Sequence, residues 1–152
     1  MIYAIWNVQG LSRKSNEIIS GLKNIKADVV VITETKKKGN GFENWGHNDH
    51  FYSGVLKDQR AQQGVSILIR TTLRKYITTW EAINQRFIKI NLTIKGYKIT
   101  ILGVYGINDD SLDNVKEDFF EQLNDEINRI GTSREIIILG ELNYRIGQEA
   151  NS

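Results

Sequence analysis

The amino-acid sequence predicts an α/β fold built from layers of strands and helices, and two observations carry this prediction. Two short runs of aliphatic residues, Val29–Ile32 and Ile136–Leu139, are typical of strands covered on both faces. The beginning of the chain also shows a strand pattern, a helix pattern and a second strand pattern, which is the order of a βαβ unit. With 152 residues, the chain is predicted to form a single domain, 1–152, that can bury a core.

The composition excludes several classes of protein. There is no cysteine, so a disulfide, a thiolate metal site and a cysteine nucleophile are ruled out. The hydrophobic fraction of 40% and the net charge of +2 are ordinary for a globular protein and do not by themselves indicate a nucleic-acid partner. No signal-peptide pattern and no apolar run of membrane-spanning length is present, so we expect an intracellular protein without a membrane partner.

The first third of the chain predicts two strands around a helix. The strands cover Ile2–Val8 and Asp28–Thr33, and helical spacing of apolar residues predicts a helix from Ser15 to about Asn24. The next segment, Thr35–Asp49, is polar and rich in glycine, and it predicts a surface loop. We expect the two histidines of this region, His47 and His50, to lie at the surface without a metal-binding role.

The remainder of the chain predicts further strands and one long helix. Strand patterns cover His50–Leu56, Val65–Arg70 and Phe87–Ile94, with a less regular one over Leu73–Trp80. A hairpin turn at Lys95-Gly96 leads into a strand over Tyr97–Tyr105. The segment Leu112–Ile130 predicts an amphipathic helix with an acidic face in solvent. Its apolar stripe consists of Val115, Phe119, Leu123, Ile127 and Ile130.

Polar side chains suited to a metal ion stand at the ends of four predicted strands. Asn7, Glu34 and Tyr105 each end or follow a strand, and Glu141 and Asn143 follow the last one. Residues two apart in an extended chain point to the same side, so Glu141 and Asn143 should project together. A carboxylate beside carboxamides suits Mg²⁺, which can polarise a phosphodiester. The alternative is a set of polar strand ends in solvent, with a tyrosine whose hydroxyl reaches the surface.

Four motifs, taken in order, resemble those of the endonuclease/exonuclease/phosphatase superfamily. They are Trp6–Leu11 (WNVQGL), Thr33–Lys36 (TETK), Val104–Asn108 (VYGIN) and Gly140–Asn143 (GELN). The resemblance runs from Ile2 to about Gly147 and is greatest to the apurinic-type endonuclease domain of non-LTR retrotransposons. It implies a four-layer α/β sandwich, incomplete at its C-terminal end, and metal-dependent hydrolysis of DNA phosphodiesters.

The resemblance also implies roles for individual residues. Asn7 and Glu34 would belong to a site for Mg²⁺ or Mn²⁺, and Lys36 could support that site. The catalytic residues would be those that lie beside the scissile phosphate, orient the nucleophile or grip the phosphate: Tyr105, Glu141 and Asn143. Asn108 would contact the substrate phosphate together with Asn143. The implied partner is DNA, and a protein that acts on chromosomal DNA would be nuclear.

The sequence departs from the family pattern at several points. Glu141 stands where the family has an aspartate, and Gln9 stands where some relatives have a carboxylate. The family's closing segments, with an aspartate–histidine pair that supplies the general base, are absent from this sequence. We therefore expect weak nuclease activity or none, and strand edges that pair with a second copy or with a segment outside this sequence. A binding module without catalysis and a phosphatase of the same superfamily remain alternative hypotheses.

Overall fold

The computed structural model describes residues 1–11, 15–24, 26–108 and 110–141. Their strands and helices follow one another as β1 (Tyr3–Asn7), α1 (Ser15–Asn24), β2 (Val29–Thr33), β3 (Asn40–Trp45), β4 (Asn48–Ser53), β5 (Val65–Arg70), a 3₁₀ helix (Thr71–Tyr76), β6 (Ile77–Asn84), β7 (Phe87–Ile94), β8 (Tyr97–Tyr105), α2 (Asp113–Ile130) and β9 (Glu135–Glu141). Among these residues, no helix combines the length and the apolar character that a membrane span requires.

The strands form two sheets that pack face to face. One sheet has the order β1-β2-β5-β4-β3 and the other the order β6-β7-β8-β9. The pairs β1/β2 and β8/β9 are parallel, whereas the other neighbouring strands are antiparallel. The space between the sheets is filled by aliphatic residues and one phenylalanine: Val29, Val31, Phe51, Val65, Ile67, Ile69, Ile88, Ile90, Leu92 and Ile101.

A helix covers the outer face of each sheet. Ile18 of α1 packs with Val30 and Ile32 of β2, while Phe119 of α2 packs with Phe87 of β7 and with residues of β8. The order helix, sheet, sheet, helix confirms the predicted four-layer α/β sandwich. It also confirms that β2 is covered on both faces, because alternate residues of this strand enter the core between the sheets and the core under α1.

The last strand, β9, departs from its prediction. It pairs with β8 at the edge of its sheet, and Ile138 is 42% exposed. The expectation that Ile136–Leu139 is covered on both faces was therefore wrong. The physical reason is the position of α2, whose buried contacts are with β7 and β8. Strand β1 is an edge strand of the other sheet, and its Ile5 is 50% exposed.

The prediction of a surface loop over Thr35–Asp49 was also wrong, because this segment contains β3 and the turn that joins β3 to β4. The polar residues of β3 are tolerated because this strand lies at the edge of its sheet. His47 is exposed as expected, but His50 is fully buried in β4 and stacks on Trp45 with a centroid distance of 4.2 Å. Burial lowers the pKa of His50 to about 4, so this residue is neutral at pH 7. The less regular strand pattern over Leu73–Trp80 resolves into the 3₁₀ helix followed by β6.

Candidate active site

The two parallel strand pairs bring four of the predicted site residues to one end of the sandwich. In the first pair, Asn7 at the end of β1 lies beside Thr33 at the end of β2, and Glu34 follows directly. In the second pair, Tyr105 at the end of β8 lies beside Glu141 at the end of β9. The carboxyl ends of parallel strands meet at the same edge, so each pair places two polar side chains side by side.

A hydrogen bond between side chains joins the two sheets at this end. The Asn7 amide Nδ2 donates to the Glu141 carboxylate Oε2 at 2.8 Å, and the Thr33 hydroxyl approaches the same oxygen at 3.4 Å. The Asn7 Oδ1 in turn accepts a hydrogen bond from the backbone N–H of Gln9 at 3.1 Å. Asn7 and Glu141, which are separated by 134 residues in sequence, therefore form a single polar contact.

Gly140 allows Glu141 to reach this position. Its φ is 153°, and a Cβ atom on residue 140 would lie 1.8 Å from the carbonyl oxygen of Val104. Only glycine permits this close approach of β9 to β8. The next ladder contact, from the Gly106 N–H to the Glu141 carbonyl at 2.5 Å, holds Glu141 at the end of the strand.

Glu34 lies half-buried at the exit of β2, in the left-handed backbone region with φ of 58°. Its neighbours Gln9 and Lys36 have similar φ values of 50° and 54°. Left-handed non-glycine residues are uncommon and often mark functional sites. No hydrogen-bond donor contacts the Glu34 carboxylate within the described ranges. This carboxylate is therefore available to bind a cation.

The phenol of Tyr105 lies between opposing charges. Burial is the largest cause that raises its pKa, followed by Glu34, while the Arg86 guanidinium lowers the pKa and Glu141 raises it further. The net direction is upward, so the phenol keeps its proton at neutral pH. Tyr105 can donate a hydrogen bond here, and it is unsuited to act as a base.

Arg86 is the residue of this region that the sequence interpretation missed. It lies in the turn between β6 and β7, where its Nη1 donates to the carbonyls of Tyr105 at 3.2 Å and Gly106 at 2.7 Å. Its guanidinium carbon lies 5.4 Å from the centroid of the Tyr105 ring. A signal was present in the sequence, because counting back from the two-residue turn at Lys95-Gly96 places Arg86 opposite Tyr105.

The donor set fits a hard divalent cation of the Mg²⁺ type. Mg²⁺ is held by one or two carboxylates and keeps several waters, and this site offers the carboxylates of Glu34 and Glu141 with the amide oxygen of Asn7. Within the described ranges, no three or more histidine, cysteine, aspartate or glutamate side chains lie together in a group that could hold a metal ion. The candidate ligands are therefore two carboxylates and one amide oxygen.

Two other predicted residues make no side-chain hydrogen bond to this cluster among the described residues. Asn108 is exposed in the segment after β8, where its carbonyl accepts a hydrogen bond from the Ser111 N–H at 3.1 Å. Lys36 is exposed, and its side chain lies against Gly10. Asn143 lies outside the described residues.

Comparisons with known proteins relate this chain to a family and to curated relatives. The model of the family described as "Endonuclease/Exonuclease/phosphatase family" matches residues 4–147. The "Craniofacial development protein 2" of Bos taurus is 21% identical over 145 residues, which cover 95% of this chain and 24% of that protein. The "Probable RNA-directed DNA polymerase from transposon BS" of Drosophila melanogaster is 30% identical over 73 residues, which cover 47% of this chain and 8% of that protein.

Solved structures share the fold. An AP endonuclease from Archaeoglobus fulgidus superposes with a TM-score of 0.66 at 19% identity. The superposition covers 92% of this chain and 56% of the endonuclease. The chain thus spans little more than half of that relative and a quarter or less of the two curated relatives.

Proposed function

This chain belongs to the endonuclease/exonuclease/phosphatase family, and from that premise we propose that it is a metal-dependent DNA endonuclease domain of retroelement type. The observation that carries the proposal is the hydrogen bond between Asn7 and Glu141, which gathers two carboxylates and a protonated tyrosine at one end of the sandwich. The similarity to a transposon protein supports a retroelement origin.

In this proposal Glu34 and Asn7 hold Mg²⁺ or Mn²⁺. Glu34 is the principal ligand because its half-buried carboxylate has no hydrogen-bond donor in the described part of the chain. Asn7 contributes its amide oxygen, while its amide nitrogen remains bonded to Glu141. When bound, such an ion polarises the phosphodiester and stabilises the leaving oxygen.

The other side chains act on the phosphate and on water. The phenol of Tyr105 stays protonated because its pKa is raised, and its O–H donates a hydrogen bond to a non-bridging phosphate oxygen. Glu141, which Asn7 fixes in place, accepts a hydrogen bond from the attacking water and orients it. Asn108 and Asn143 hold the substrate phosphate, as the family resemblance implies.

We expect this hydrolysis to be slow. General acid–base catalysis contributes roughly 10²- to 10⁴-fold to a typical enzymatic rate, and histidine is its usual agent. Within the described ranges, His50 is buried beside Trp45 and His47 is exposed near the turn that follows β3. Neither histidine reaches the proposed site. No observation favours the alternatives, a phosphatase and a binding module without catalysis.

We further propose that the edges of β1 and β9 are covered in the working protein. Each of these strands is one of the two edge strands of its sheet, and they face each other across the sandwich. They expose Ile5 and Ile138, together with backbone groups that can pair with another strand. The covering partner is either a second copy or a segment outside this sequence.

The metal proposal is tested by Glu34→Gln, with Glu81→Gln on the exposed side of β6 as the control for loss of one carboxylate. We expect Glu34→Gln to abolish Mg²⁺ and Mn²⁺ binding in calorimetric titration and plasmid nicking in the presence of either ion. Glu81→Gln should behave like the parent, and circular dichroism should show both variants folded. Unchanged metal affinity in Glu34→Gln would overturn the proposed role.

A further inference from the structure

Four exposed cationic side chains stand on the loops beside the proposed site. They are Lys36 and Lys38 in the loop after β2, and Lys57 and Arg60 in the loop before β5; together they form the loop cation cluster. None of them lies within ion-pair distance of a carboxylate in the described part of the chain. Their charges are therefore available to a partner.

Backbone hydrogen bonds fix these two loops against each other. The Lys36 N–H donates to the Gln63 carbonyl at 2.7 Å, and the Gly39 N–H donates to the Val55 carbonyl at 2.7 Å. The Gly54 N–H returns a bond to the Gly39 carbonyl at 2.8 Å. The Lys57 side chain lies against Gly39, since a Cβ on residue 39 would meet its Cε at 3.3 Å. The cluster therefore sits on an ordered double loop.

The double loop begins at the proposed metal ligand. Glu34 is the first residue after β2, and its carbonyl accepts a hydrogen bond from the Gly10 N–H at 2.7 Å. A chain extends at most about 3.6 Å per residue, so Gly39 lies within about 18 Å of Glu34. One DNA strand carries a phosphate every 3.4 Å along the helix axis, so this reach corresponds to about five phosphates.

Several charges elsewhere on the described surface are paired or negative. Arg70 pairs with Asp28, Arg74 with Asp49 and Arg129 with Glu126, whereas Lys95 and Lys98 are exposed at the far end of β7 and β8. The outer face of α2 carries exposed acidic residues, namely Asp113, Glu117, Asp118, Glu121 and Asp125. A polyanion is repelled by that face and attracted to the loop cation cluster.

We infer that the loop cation cluster is a binding surface for the phosphodiester backbone of DNA, on one side of the phosphate held at the site. This inference rests on the proposed function, and it adds the surface along which the DNA continues beyond the site. Lysine and arginine contacts to phosphates position a nucleic acid without reading its bases. The surface therefore binds duplexes of different sequence with equal strength.

The test removes two charges that lie outside the proposed catalytic residues. The double variant Lys57→Gln/Arg60→Gln is compared with Lys95→Gln/Lys98→Gln, which changes the net charge equally at the β7–β8 turn, away from the site. Binding to a fluorescently labelled duplex of about 20 base pairs is measured by anisotropy between 50 and 200 mM KCl without divalent ions, because the salt slope is about 0.9 per neutralised phosphate.

We expect Lys57→Gln/Arg60→Gln to weaken binding at low salt and to reduce the salt slope by about 1.8, because two phosphate contacts are lost. The control should retain the slope of the parent. Equal slopes in the two double variants, or a parent that does not bind the duplex, would overturn the inference.

A second measurement separates this inference from the proposed function. Hydrolysis of the small diester bis(4-nitrophenyl) phosphate with Mn²⁺ needs the site but not the loops. Lys57→Gln/Arg60→Gln should hydrolyse it at the parent's rate while binding the duplex less tightly. A parent that binds the duplex with the expected slope but hydrolyses no diester would contradict the proposed function and leave the binding surface supported.

Discussion

Strands β2 and β9 carry similar sequences and occupy contrasting positions. Each is a run of aliphatic residues followed by a glutamate at or near its end, Glu34 after β2 and Glu141 in β9. β2 lies between two neighbours and beneath α1, so it is fully buried, whereas β9 has one neighbour and exposes Ile138. Both nevertheless deliver a carboxylate to the same end of the sandwich.

The contrast shows that an aliphatic run identifies a strand but does not determine how many of its faces are covered. Coverage depends on which other elements pack on the strand, and those contacts are made by residues distant in sequence. The two strands should therefore differ in what they contribute to stability, although both contribute to the site. Three experiments test these contributions to stability and to the site, beginning with the largest expected effect.

The largest effect is expected from the same substitution in each strand. Ile32→Ala in β2 removes a fully buried side chain and should lower the free energy of unfolding by about 2 to 5 kcal/mol. Ile138→Ala in β9 truncates a side chain that is 42% exposed and should cost less than about 1 kcal/mol. Urea denaturation of both variants provides the measurement.

The same two variants test whether a second copy of the chain covers the edge strand β9. If it does, the loss of unfolding free energy caused by Ile138→Ala should grow with protein concentration, because association contributes to stability by mass action. A cost as large as that of Ile32→Ala at every concentration would contradict the assignment of β9 as an exposed edge.

The second effect concerns how β9 reaches the site. Gly140→Ala places a Cβ against the Val104 carbonyl, and relieving that overlap should cost about 1 to 3 kcal/mol and displace Glu141 from Asn7. Gly131→Ala is the control, because its φ of 82° imposes backbone strain while no atom lies within 4 Å of the new Cβ. Only Gly140→Ala should shift the Asn7 side-chain amide resonance in an NMR spectrum, and equal behaviour of the two variants would argue against this role.

Much of this architecture could be predicted from the sequence, because its signals are local. Val65–Arg70, Phe87–Ile94 and Tyr97–Tyr105 coincide with β5, β7 and β8, since their apolar pattern and the Lys95-Gly96 turn lie within each segment. The position of His50 depends instead on Trp45 and Tyr52, which stack on its ring. Polar β3 was missed because an edge strand needs little apolar sequence.

The site also has features that local sequence signals predict and features that depend on residues distant in sequence. The family motifs located Asn7, Glu34, Tyr105 and Glu141, but no local pattern indicated that Asn7 would bond to Glu141 across the two sheets. Arg86 could have been found by counting along the β7–β8 hairpin, since the register that pairs Phe87 with Val104 continues to Arg86 and Tyr105. Contacts within one hairpin are predictable in this way, whereas contacts between sheets require the packed structure.

The smallest effect is expected from changing the contact between Arg86 and Tyr105, which lies on the β9 side of the site. Arg86 lowers the pKa of Tyr105 through its positive charge, so Arg86→Met should raise the Tyr105 pKa further, while Arg86→Lys should retain part of the effect. Lys75→Met is the control, because Lys75 lies over the ring of Tyr76, 5.2 Å from its centroid, and should leave the titration of Tyr105 unchanged. The measurement is a pH titration of ¹³C-labelled tyrosine by NMR. An unchanged Tyr105 pKa in Arg86→Met would mean that the guanidinium supports the backbone carbonyls of Tyr105 and Gly106 without acting on the phenol. The electrostatic balance at the site would then come from burial and the two carboxylates that β2 and β9 deliver.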